Sequence, residues 1–170
     1  FVCSRNRWRS PTAEYLYADD PRFNVTSRGL SPKSKRQLKK KDLEWADIAF
    51  ISAMVIQRES SNQIISACKR AGLRVVAGGP LFNYDESWHK AVDHVVLNEA
   101  EITLPSFLTD LENHTAKRVY MTTEYADVRK TPAPLWKLID FNVYASMNIQ
   151  FSRGCPFSCD FCNVTQLFGH

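Results

Sequence analysis

Asp47-Ile48-Ala49-Phe50-Ile51-Ser52 and Leu73-Arg74-Val75-Val76-Ala77-Gly78-Gly79-Pro80 are the two stretches whose reading decides the fold. Each is a short apolar run closed by small or turn-forming residues, the pattern of a buried strand. Between them Ile64, Ile65, Cys68 and Ala71 recur at helical spacing, and Gly72 ends that helix. Strand, helix, strand within about 30 residues is the unit of a parallel sheet. Working outward, His94 to Leu97 reads as a strand, Leu104 to Glu112 as a helix with Pro105 in its first turn, and Arg118 to Met121 as a further short strand. Toward the start, Phe1-Val2 leads through a loop into a helix near Ser10 to Ala18. A strand around Phe23 to Ser27 and a basic helix from Lys33 to Lys41 follow. The alternation specifies an α/β fold, doubly wound on a mostly parallel sheet. Residues 122 to 145, with Pro132 and Pro134, read as a linker with a helical turn near Leu135 to Ile139, and a strand from Met147 to Phe151 follows.

At 170 residues the chain suits one core, and a hydrophobic share of 44% is ordinary for a globular protein. No apolar run approaches the roughly 20 residues that cross a bilayer, and no basic segment precedes an apolar one near the start. The expectation is a cytosolic protein with no membrane partner. The chain begins Phe1-Val2-Cys3 without a Met and stops at His170, so both ends read as cut. Net charge is +4, and the excess lies early: residues 1 to 50 hold 11 Lys/Arg against 6 Asp/Glu, residues 51 to 170 hold 11 against 12. The run from Lys33 to Lys41 reads as a solvated helix face rather than a nucleic-acid contact, since no aromatic residues interleave for stacking.

Five cysteines, an odd number with three crowded near the end, do not form a secreted disulfide framework. Cys68 reads as a small buried apolar residue. Cys155, Cys159 and Cys162 have the spacing CxxxCxxC, which lets three thiolates bind three irons of one [4Fe-4S] cube and leaves the fourth iron open to a ligand. Zinc is the competing reading, with His170 as fourth ligand.

The triplet, with Phe161 before its last cysteine, resembles the radical S-adenosylmethionine (SAM) signature. The flanking Ile149-Gln150-Phe151-Ser152-Arg153-Gly154-Cys155-Pro156-Phe157 resembles the subgroup whose barrel follows a cobalamin-binding-type domain. Val75 to Phe82 and Val92 to Glu101 extend the likeness, which runs from about residue 48 to 170. The resemblance implies a [4Fe-4S] cluster, SAM on the open iron, reductive cleavage to a deoxyadenosyl radical and an electron donor protein. It places Phe161 against the adenine. It also sets Gly78, Gly79 and Pro80 at the border of a corrin or its vestigial pocket, leaving cobalamin as an open third cofactor. The bland reading of those glycines is a turn needing positive φ. Asn98 departs from the glycine more usual before Glu99-Ala100-Glu101. Only eight residues follow Cys162, so the barrel is truncated, and the expectation is a chain that binds a cluster without performing substrate chemistry.

Cys3-Ser4-Arg5-Asn6-Arg7-Trp8-Arg9-Ser10 fits Cx5R followed by Ser, between a strand and a helix. Such a loop turns backbone amides and a helix start toward a phosphate or phosphoester, with Arg9 as a planar fork and Cys3 as a thiol nucleophile hydrogen-bonded by Ser10. Pro11 suits the first helical position. With Ser10 to Glu14, Ser27 to Pro32 and Trp45-Ala46-Asp47, the loop resembles the low-molecular-weight protein tyrosine phosphatases over about residues 1 to 48. That family protonates its leaving group with an aspartate usually followed by proline. No Asp-Pro occurs after Asp20-Pro21, which sits too early to serve.

Both families begin as doubly wound, flavodoxin- or Rossmann-like domains. The expected organisation is a phosphatase-like half over 1 to 48, a cobalamin-binding-type half completing the same sheet over 48 to 121, a linker over 122 to 145, and the first strand and cluster loop of a barrel over 146 to 170. Cys3 to Ser10 and Gly78 to Pro80 should then share one sheet edge. A broken or fused reading frame with an incomplete core is the alternative.

Overall fold

In the computed structural model, Ile48–Ser52 (β3) and Arg74–Gly78 (β4) pair in parallel over five residues, from Ile48 opposite Arg74 to Ser52 opposite Gly78. The structure describes residues 1–3, 9–84, 86–131, 133, 136, 142, 146, 152–162, 164–165 and 169. Around this pair stand Val2–Cys3 (β1), Arg28–Gly29 (β2), His94–Val96 (β5) and Val119–Tyr120 (β6). They form one six-stranded, all-parallel sheet in the order β2-β1-β3-β4-β5-β6. The helices are Arg9–Leu16 (α1), Lys40–Trp45 (α2), Arg58–Arg70 (α3), Pro80–Tyr84 (α4) and Ala100–Glu112 (α5).

Strand alternation sorts the side chains into two cores, one on each face. Ala49, Ile51, Val75, Ala77 and Val95 join Ile64, Ile65 and Cys68 of α3 and Leu81 of α4 on one face. Ile48, Phe50, Val76 and Val96 join Phe107 and Leu108 of α5 on the other. This is the doubly wound arrangement, because parallel strands expose apolar residues on both sides and need helices over each. Phe107 is fully buried and meets Phe50 and Tyr120 edge-on, with centroids 6.0 and 5.3 Å apart. Tyr120 donates to Asp110 Oδ2 at 2.7 Å, which ties β6 to α5.

Three expected elements differ. The second strand is not Phe23 to Ser27. Its ladder to β1 starts at Arg28, whose N–H bonds the Phe1 carbonyl, while the Phe23 ring packs edge-on against Tyr17. The basic helix is not Lys33 to Lys41. That segment lies alongside β2, with Gly29 N–H on the Arg36 carbonyl and Leu38 N–H on the Gly29 carbonyl, so its backbone bonds go to a neighbour instead of to itself. The helix starts at Lys40, where Asp42 Oδ2 accepts the Lys39 N–H and Oδ1 accepts from the Arg28 guanidinium. Helix α5 begins at Ala100, placing Pro105 beyond the first turn. The Glu99 carbonyl receives the Ile102 and Thr103 amides, so the helix nucleates upstream of the proline. The turn at 135–139 and the strand at 147–151 lie outside the described residues, apart from Trp136. No described helix is long and apolar enough to cross a membrane.

Candidate functional site

Six parallel strands point their carboxyl ends the same way, and the strand order reverses between β1 and β3, the place where sheets of this kind take ligands. Val2 sits opposite Ile51, so Cys3 stands level with Ser52; Ser52 faces Gly78, and Gly78 faces Val96. Cys3 and Gly78 therefore lie in one row along the carboxyl edge, as the sequence suggested.

At the β1 end of that row, Cys3 Sγ and Ser10 Oγ share a hydrogen bond of 3.0 Å, both side chains buried. Arg9 is the first residue of α1, and Pro11 the third rather than the first. The loop 4–8 and the Arg9 side chain lie outside the described residues, so the proposed phosphate fork does too. Glu14 of α1 accepts from Arg36 (2.7 and 3.0 Å) and from Ser27. Burial pushes the Glu14 carboxyl up, but the hydrogen bonds from Arg36 and Ser27 outweigh it and hold it below the usual carboxylate range. These contacts fasten α1 to the residue entering β2 and to the segment that follows β2. Asp20 is paired with Arg22 at 2.7 Å.

Gly78 and Gly79 have a backbone explanation. A Cβ on Gly78 would stand 2.6 Å from the Val96 carbonyl oxygen. Gly79 has φ +90°, and its Cβ would meet the Ala53 carbonyl oxygen at 2.9 Å. The strand can then turn directly into α4, whose first residue is Pro80. Asn98, where glycine is more usual, has φ 60°; its short amide side chain tolerates the left-handed region that glycine occupies freely.

The cysteine loop is fastened to this edge by an ion pair that sequence reading did not anticipate. Arg153, two residues before Cys155, donates to Glu99 Oε2 and, at 2.6 Å, to Glu101 Oε1. Glu99 is the residue preceding α5 and is 4% exposed. Burial pushes the Glu101 carboxyl up, yet the hydrogen bond and charge of Arg153 hold it below the usual range. Leaving the buried Glu99 carboxylate without its partner is unfavourable, so the pairing is a constraint on the loop. The paired residues lie in two distant segments, Glu99-Ala100-Glu101 and Arg153-Gly154, and nothing in the one-dimensional pattern joins them.

All five cysteines carry free thiols. Cys155 and Cys162 are half-buried and Cys159 exposed, with a turn closed by Cys162 N–H on the Cys159 carbonyl. Phe161 is 90% exposed. The structure does not gather the three sulfurs: among the described residues no group of three or more His, Cys, Asp or Glu is arranged to hold a metal. The physical reason is that thiols do not attract one another, and the metal–thiolate bonds supply the closing energy of such sites. As a donor set, three free thiols on one short, accessible loop suit an iron–sulfur cluster. His170, the zinc alternative's fourth ligand, lies outside the described residues. Cys68 is fully buried, and burial pushes its thiol up to about 11, which fits a core role.

No family model matches the chain. Among curated proteins it is 37% identical over 142 residues to an uncharacterized methyltransferase of Synechocystis, covering 82% of this chain and 26% of that protein. It is 34% identical over 135 residues to the hopanoid C-2 methylase of Rhodopseudomonas palustris, covering 75% and 25%. It is 30% identical over 132 residues to the bacteriochlorophyllide d C-8(2)-methyltransferase of Chlorobaculum tepidum, covering 72% and 29%. The chain thus spans about a quarter of the length of the curated relatives it matches. Among solved structures, the N-terminal domain of a hypothetical protein of Thermotoga maritima aligns with a TM-score of 0.47 and 22% identity, covering 68% of this chain and 92% of that one.

Proposed function

We propose that this chain is a section of a radical SAM enzyme, one whose complete form transfers a methyl group or performs a related transformation. Cys155, Cys159 and Cys162 would hold three irons of a [4Fe-4S] cluster, with SAM on the fourth. When bound, the cluster supplies the electron that breaks a carbon–sulfur bond of SAM, giving methionine and a deoxyadenosyl radical. The chain's own residues do the rest. Phe161 presents an open aromatic face to the adenine, and Arg153 anchors the loop. Gly78, Gly79 and Pro80, at the carboxyl edge of the sheet, would border a corrin or a substrate.

One observation carries this reading: three free thiols at CxxxCxxC on an accessible loop, in a chain 37% identical to a methyltransferase. Anaerobic loading with iron and sulfide should give a brown protein with about four of each per chain. A colourless product that takes up zinc instead would overturn the reading. An electron donor protein is the expected partner.

A second reading is favoured by the 3.0 Å contact between Cys3 and Ser10 where β1 ends and α1 begins. It supports a phosphate or phosphoester site of the cysteine-phosphatase type at Cys3 to Ser10. Hydrolysis of an aryl phosphate that disappears in Cys3→Ser tests it; equal rates in both proteins would remove it.

A further inference from the structure

Arg153 spans 54 residues to reach Glu99 and 52 to reach Glu101. Both carboxylates stand at the start of α5: Glu99 is its N-cap residue and Glu101 lies in its first turn. Glu99 lies three residues past the end of β5, and the Thr103 hydroxyl fixes its surroundings with a hydrogen bond shared between the Leu97 and Glu99 carbonyls, 3.1 Å from each. Asn98, with φ 60°, turns the chain between them. The Arg153 side chain is only 16% exposed and Glu99's 3%, so this is a desolvated pair rather than a surface one. A guanidinium fork whose two terminal nitrogens meet two different carboxylates is fixed in direction as well as position. Glu101 also accepts from Thr131 at 3.3 Å, which brings the chain leaving β6 to the same point. The second oxygen of Glu99 has no hydrogen-bond partner among the described residues, so loss of Arg153 would leave the whole carboxylate buried without a donor.

We propose that Glu99 and Glu101 form a two-carboxylate receptor for Arg153 that sets the position of the cysteine loop against the carboxyl edge of the sheet. Arg153 is thereby a positioning residue for the three thiols. In taking that loop as the cluster-binding element the inference rests on the proposed function; the receptor itself does not. Its consequence is mechanical. A cluster bound two residues past Arg153 inherits a fixed place relative to Gly78 and Gly79, because β5 and β4 are neighbours and Gly78 faces Val96.

The test uses the full 170-residue chain and four variants: Arg153→Lys, Arg153→Met, Glu101→Gln, and Arg153→Met with Glu101→Gln. Hydrogen–deuterium exchange is followed at 152–162, and at β3 and β4 as internal references. Arg153→Met should speed exchange at 152–162 by about tenfold or more, as expected for losing charge-assisted hydrogen bonds, with β3 and β4 unchanged. The double variant should be no faster than Arg153→Met, and Arg153→Lys should fall between it and the parent. After anaerobic iron loading, the electron paramagnetic resonance spectrum of reduced Arg153→Met should broaden, and that of Arg153→Lys should broaden less. Unchanged exchange at 152–162 in Arg153→Met overturns the receptor. So does faster exchange throughout β3 and β4, which would make the pair a general prop of the fold. If the parent takes up no iron while the exchange pattern holds, the receptor stands and the cluster reading falls. If iron loads normally and exchange is unchanged, the reverse follows.

Discussion

Alanine at three glycines separates steric from conformational demands at the carboxyl edge. At Gly78 the new Cβ would lie 2.6 Å from the Val96 carbonyl oxygen. An ordinary carbon–oxygen approach is about 3.3 Å, so β4 and β5 must part by roughly 0.7 Å there. Bonds of about 2.9 Å would stretch to about 3.6 Å, outside hydrogen-bonding range. Two such bonds at about 1 kcal/mol each, with some strain relieved elsewhere, put the cost near 2–4 kcal/mol. For a chain of this size that lowers Tm by about 5–15 °C. Gly72 has φ +79° with nothing within 4 Å of its Cβ, so Gly72→Ala should cost only the left-handed strain, about 1 kcal/mol. Gly79→Ala combines both demands and should cost at least as much as Gly78→Ala. The assay is thermal and urea unfolding of the chain free of iron and any ligand, followed by circular dichroism. If Gly78→Ala melts like the parent, or Gly72→Ala costs as much as Gly78→Ala, the packing argument is wrong. The glycines would then have to be explained by what approaches them from outside.

Phe107→Ala should destabilise by about 3–5 kcal/mol, since the ring is fully buried against Phe50 and Tyr120; urea titration reads this directly. Cys159→Ser should lower iron per chain well below the parent while Cys68→Ser leaves it unchanged, measured by metal analysis after anaerobic loading. Iodoacetamide at pH 8 should label Cys155, Cys159 and Cys162 in the native chain and reach Cys68 only on unfolding, because that thiol is fully buried and pushed up to about 11. Asp93 is held below the usual carboxylate range: burial raises it, but Lys69 and the Val75 N–H lower it further. Glu14 and Asp42 are likewise depressed, by Arg36 with Ser27 and by Arg28 with the Lys39 N–H, each against the opposing effect of burial. A depressed folded value means the unfolded chain binds more protons, so this stability is present above about pH 4 and lost as pH falls through the folded values. The urea midpoint should hold from pH 7 to about pH 5 and then decline, less steeply in Asp93→Asn; an unaltered slope there would contradict the assignment.

The central strands were legible because β3, β4 and β5 carry apolar residues on successive positions, a pattern that few other elements produce at that length. Helix α3 was legible through Ile64, Ile65 and Cys68. The basic segment misled because lysines and arginines are good helix formers, whereas here Arg36 is committed to Glu14 across elements. Two-residue strands such as β2 carry too little pattern to locate. At the site, spacing alone marked Cys155, Cys159 and Cys162, and the strand-to-helix setting marked Cys3 and Ser10. The Arg153 pairing was hidden because an ion pair across 54 residues leaves no periodicity.

Both outermost strands are short: β2 and β6 have two residues each, against five in β3 and β4. A border that brief presents few free amides and carbonyls to a passing extended chain, and on the β2 side Gln37 already bridges to Gly29. Tapered margins of this kind discourage strand-by-strand growth into aggregates, leaving the long, adhesive strands sheltered in the middle.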